Sequence, residues 1–81
     1  MNYVYLVFNP RETYYHPIAF AEKYDALAFA QKVWEVRVRQ EDLDFTEEYP
    51  FPYDYFSNAL DEHNEASGYD EMIIIKKCKI Y

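Results

Sequence analysis

Trp34-Glu35-Val36-Arg37-Val38-Arg39 alternates strictly between apolar and charged residues, and its reading decides the fold. Taken by twos it is a half-buried strand. Taken with what precedes it, it is the end of a helix. Glu22 or Lys23 opens that helix, and Ala26, Leu27, Ala30, Val33 and Trp34 recur at spacings of three and four along one side. Helical propensity and continuity favour one helix over about residues 23–38. The β-branched Val36 and Val38 favour a break after the first half.

Working outward, residues 3–8 are β-branched and aromatic and end at Asn9-Pro10, a buried strand followed by a turn signal. Residues 11–17 read as the loop of a hairpin, and residues 17–21 as its returning strand. Pro50 and Pro52 keep residues 41–53 out of a helix. Asp54 is placed to cap a second helix over 54–66, with Phe56, Ala59, Leu60 and His63 as its inner stripe and Gly68 closing it. Residues 71–80 form the last strand. Alternation there sets Met72, Ile74, Cys78 and Ile80 on one face against Ile73, Ile75, Lys77 and Lys79 on the other. The expected fold is α+β, with a small, mostly antiparallel three-stranded sheet in β-β-α-α-β order and both helices on one face.

The 81 residues are expected to make a single domain over 1–81, since domains run from about 50 to 250 residues. Half the residues are hydrophobic and 21 % are aromatic, which argues against intrinsic disorder. No apolar stretch is long enough for a transmembrane helix. The opening MNYVYLVFNP lacks the basic start of a signal peptide, so a cytoplasmic setting is the default. Cys78 is the single cysteine, which excludes an internal disulfide and a zinc-finger ligand set. The net charge of −7 repels nucleic acids and anionic membranes. The same charge favours a monomer over a dimer.

Catalytic constellations are scarce. A single glycine excludes glycine-rich phosphate loops. Cys78, deep in an apolar strand, reads as a small core residue. Glu62 and His63 are adjacent and face different ways on a helix, which is poor geometry for a metal site. Asp42, Asp44, Glu47 and Glu48 lack the glycine and terminal glutamate of an EF-hand in register. Paired carboxylates for glycoside hydrolysis need a cleft that so small a domain has little room for. Neither a cofactor nor a metal is expected, and an enzyme is the least supported class.

Charge segregation is the strongest functional signal. Residues 41–75 hold no lysine or arginine but eleven of the fifteen carboxylates, giving −11 there and +4 over the remainder. Phe45, Tyr49, Phe51, Tyr53, Tyr55, Phe56 and Tyr69 thread the same segment. Tyrosine pairs a flat apolar body with a polar tip, which suits a partly wet interface. On a helix running past Glu65, Asp61 and Glu65 would repel at a spacing of four, and Asp61, Glu62 and Glu65 would crowd the negative end of the dipole. The alternative, that the carboxylates only solvate a face while the rings fill the core, leaves that arrangement unexplained. The residues expected to bind a partner are Asp42, Asp44, Glu47, Glu48, Tyr49, Tyr53, Asp54, Tyr55, Asp61, Glu62 and Glu65. The partner would be a basic protein, such as a nuclease or nucleic-acid-binding factor.

In charge and rings, residues 41–71 resemble the small acidic phage-encoded inhibitors that act as DNA mimics, among them uracil-DNA glycosylase inhibitors and several anti-CRISPR proteins. No motif is shared, so the resemblance transfers no residue roles. It implies an inhibitor that fills a basic nucleic-acid-binding channel. The competing expectation is an acidic interaction or assembly module that binds a basic protein without mimicry.

Overall fold

The alternating run is helical to its end. The structure, a computed structural model, describes residues 2–9, 17–40, 50–68 and 73–80. In it α1 (Lys23–Gln40) continues unbroken for 18 residues. Ala26, Leu27, Ala30, Trp34 and Val38 are all buried along one side, whereas Val36 is 54 % exposed. Burial therefore follows the helical period and ignores the alternation. Arg37 and Arg39 fall in the last turn, where the helix dipole favours cations.

Five further elements complete the order: β1 (Tyr3–Phe8), β2 (Ile18–Phe20), α2 (Tyr53–His63), β3 (Glu65–Gly68) and β4 (Ile73–Lys79). The sheet order is β2-β1-β4-β3 and every pairing is antiparallel. The α+β class stands. The expected three strands in β-β-α-α-β order are corrected to four in β-β-α-α-β-β order.

The additional strand arises because α2 stops early. Asn64 adopts the left-handed conformation at φ 63° and donates its N–H to the Leu60 carbonyl at 3.2 Å. Asparagine is among the few side-chain-bearing residues that visit this region readily. The helix thus closes at Asn64 instead of Gly68, and the four residues that follow turn back into the sheet. At its other end α2 has Pro52 as N-cap with no side-chain cap. Asp54 is not the cap; it lies in the first turn, where its charge still suits the dipole.

Gly68 has a packing role. A Cβ on it would lie 2.7 Å from Phe56 Cζ and 3.1 Å from Trp34 Cζ3, so only glycine lets β3 approach those rings. Phe51, Phe56 and Trp34 pack edge to face, with centroids 5.0–6.2 Å apart. This cluster joins both helices to β3.

Both helices cover the sheet face that carries Val7, Ala66, Ile73 and Ile75, all buried. The face of β4 that meets the core is therefore the Ile73/Ile75 face, which continues into Lys77 and Lys79. Cys78 is only half-buried, on the opposite face across from Val4. The deep-core reading of Cys78 is corrected accordingly. Lys77 is accommodated on the helix-side face by laying its ammonium 4.5 Å from the Tyr3 ring centroid, a cation–π contact that also shelters the alkyl stem.

Candidate protein-binding surface

Secondary structure divides the acidic segment's described rings into two groups; Phe45 and Tyr69 lie outside the described residues. Phe56 is fully buried and Phe51 packs against the core, so these two build the fold. Tyr53 is 38 % and Tyr55 60 % exposed. α2 buries Phe56 and Leu60 inward, with Ala59 packed beside them, and its other side faces solvent. Asp54, Asn58, Asp61, Glu62 and His63 are all exposed. Glu65 follows at the start of β3 and is exposed as well. The exposed residues thus run the length of α2, with Tyr53, Asp54 and Tyr55 in its first turn and Asp61 and Glu62 in its last, and Glu65 lies just beyond on β3; together they make up the α2–β3 corner. Asp42, Asp44, Glu47, Glu48 and Tyr49 lie outside the described residues.

Two features of this corner depart from the sequence expectation. Glu65 stands on β3 beyond the helix, so it is not a helical neighbour of Asp61. Asp61 is also not without a counterion: Lys23 of α1 holds both its carboxylate oxygens, at 3.1 and 3.2 Å. The Lys23 side chain is 20 % and that of Asp61 58 % exposed. This pair ties the start of α1 to the last turns of α2. Glu62 Oε2 lies 3.6 Å from His63 Nε2 on the open surface. Among the described residues, no lysine or arginine forms an ion pair with Asp54, Glu62 or Glu65. His63, expected on the inner stripe, is exposed.

A groove of about 390 Å³ runs beside this corner. Tyr55, Ala59 and His63 of α2 form one wall; Glu65, Ala66 and Ser67 of β3 form its floor, with Ile74 and Lys76 of β4 beyond. Lys76 lies opposite Glu65 in the ladder, yet its ammonium sits 5.9 Å from the Phe8 ring centroid. Phe8 belongs to β1, on the far side of β4 from β3, so the lysine charge leans away from the groove.

The floor of the groove is a sheet edge. Lys77 donates its N–H to the Asn64 carbonyl at 2.7 Å, one step before the Glu65–Lys76 pair. Antiparallel partners alternate between bonded and non-bonded pairs. Ala66 and Gly68 therefore turn their backbone groups toward β4, and Glu65 and Ser67 turn theirs outward. No strand meets that outward edge among the described residues. Sequence reasoning missed this edge along with β3 itself. Asn64 was the available signal, as a second residue type besides glycine that ends helices.

Among the described residues, no three His, Cys, Asp or Glu side chains come close enough together to hold a metal ion, and no helix is long and apolar enough to cross a membrane. No protein-family profile, curated protein or solved structure matches the chain.

Proposed function

We propose that this protein acts by binding a basic protein through the α2–β3 corner, as a small inhibitor that occupies the partner's nucleic-acid-binding channel. One observation carries the reading. Tyr53 and Tyr55 are exposed on the same short helix as Asp54 and Glu62, and among the described residues no lysine or arginine pairs with either carboxylate. Exposed rings supply apolar contact area and unneutralised carboxylates supply long-range attraction, the combination that favours fast, specific docking onto a cationic surface. The carboxylates outside the described residues add to the same sign of charge. The reading assigns no catalytic residue and places the protein in the cytoplasm, possessing no cofactor.

A second reading keeps the basic partner and drops the mimicry, making the corner an interaction or assembly module. The Lys23–Asp61 pair favours it, because a carboxylate already neutralised within the fold interrupts any phosphate-like row. Capture of partners from a bacterial lysate on the immobilised protein, followed by competition with duplex DNA or RNA, separates the two. Displacement of a captured basic protein by nucleic acid supports the inhibitor. A basic protein retained in excess nucleic acid supports the module. Capture that favours no basic protein contradicts both.

A further inference from the structure

We infer that the outward edge of β3, which no strand meets among the described residues, receives an extended segment of the partner as an added strand, and that this segment alternates basic with apolar residues. The inference rests on the reading above that the partner is a basic protein, and adds how it is gripped.

The backbone supplies the first half of the argument. Glu65 and Ser67 together offer two outward N–H donors and two outward carbonyls, at the spacing an added strand requires. Exposed edges are templates for pairing, and folds that avoid it keep them very short or block them with charges, proline or a bulge; β3 is short and carries Glu65, which disfavours pairing with an acidic strand but not with a basic one. β3 has the sequence Glu-Ala-Ser-Gly, with no proline, and its ladder to β4 is continuous without a bulge. A groove lies open along it.

Side chains supply the other half. Residues of an added strand point alternately to the two faces of the sheet. On the helix side they meet Tyr55 and Ala59, an apolar wall that suits a valine or leucine, with His63 at its end. On the other side they meet Glu65 and Ser67. Glu65 is exposed and its ladder neighbour Lys76 leans toward Phe8, so a lysine or arginine fits beside it. Glu62, exposed 3.6 Å from the His63 ring that ends the wall, adds a second carboxylate. A second copy of this chain is the poorer occupant, because isologous pairing sets Glu62 and Glu65 near their own equivalents between two molecules of net charge −7.

The test uses the whole protein, isotope-labelled, and a synthetic peptide of alternating lysine and valine about eight residues long. Amide exchange and chemical shifts are followed by nuclear magnetic resonance. Saturable binding that shifts and protects the Glu65 and Ser67 amides supports the inference. Methylating alternate peptide nitrogens on the bonding edge, which keeps the charge but removes the donors, is expected to weaken binding by about tenfold or more. Ser67→Pro removes an outward donor without breaking the ladder to β4 and is expected to act similarly; if that variant does not fold, the methylated peptide alone decides. Equal binding of the two peptides with no change at Glu65 or Ser67 overturns the strand but leaves charge-driven binding intact. Failure of the lysine–valine peptide to bind at all also overturns it. Concentration-dependent protection of the same amides without peptide assigns the edge to a second copy, and the inference falls.

Discussion

Gly68 and Trp34 show what a single residue decides here. Adding a methyl group at Gly68 forces it into Phe56 and Trp34, and overpacking of this kind costs about 1–3 kcal/mol. Gly68→Ala should lower the midpoint of urea unfolding, whereas Ser67→Ala beside it should leave the midpoint nearly unchanged. Trp34 is buried at the meeting point of both helices and β3, so Trp34→Ala should cost about 3–5 kcal/mol. That loss leaves little of the stability of a small domain, and circular dichroism should show a largely unfolded chain. Tyr55 presents the opposite case. Its ring is mostly in solvent, so Tyr55→Ala should change stability by less than about 0.5 kcal/mol. If the ring anchors a partner, the same substitution should speed dissociation. The burial of Trp34 was legible from its spacing to Leu27 and Ala30. The need for glycine at position 68 was not, because it depends on two rings brought in from distant positions.

At the scale of elements, the long helix was legible from its apolar period, and the two central strands, β1 and β4, from their runs of β-branched and aromatic residues. β3 was not. Glu-Ala-Ser-Gly has one apolar side chain that reaches the core and no β-branched residue, so neither pattern nor propensity marks it as a strand. The facing of β4 was hidden for a related reason. Ile73, Ile74 and Ile75 are equally apolar, so parity could be read only from the Lys77–Ile80 end. That end gave the wrong side because Lys77 lies on Tyr3. Asn64 is the hinge of the arrangement, ending α2 and starting β3. Asn64→Val should destabilise the fold by about 1 kcal/mol or more, since a β-branched residue tolerates positive φ poorly. Asn64→Gly should be tolerated, and thermal unfolding of the two variants measures the contrast. The Lys23–Asp61 pair joins α1 to α2 at a partly exposed site. Asp61→Asn should therefore cost less than about 1 kcal/mol, by an amount that shrinks with added salt.

Over the whole molecule, charge and shape are separated in a way the sequence announced and the fold partly reassigns. The described part of the acidic segment does not form one continuous surface element. It contributes Phe51 and Phe56 to the core, Asp61 to an internal ion pair, and Tyr53, Asp54, Tyr55, Glu62 and Glu65 to an exposed corner. Composition could identify the corner's chemistry but not this division, because which carboxylates find counterions depends on Lys23 arriving from another helix. The central proposal is that the α2–β3 corner recruits a basic protein through Glu62 and Glu65, with which no lysine or arginine pairs among the described residues. Its most direct test is the association rate of a captured basic partner with the native protein and with the Glu62→Lys/Glu65→Lys variant, each at low and at physiological salt. Neither residue is buried or in a bond that holds the fold, so the variant should remain folded. The account predicts association slower by about tenfold or more for the variant at low salt, with a difference that narrows as salt rises. An association rate that is the same for both proteins at both salt concentrations would contradict it.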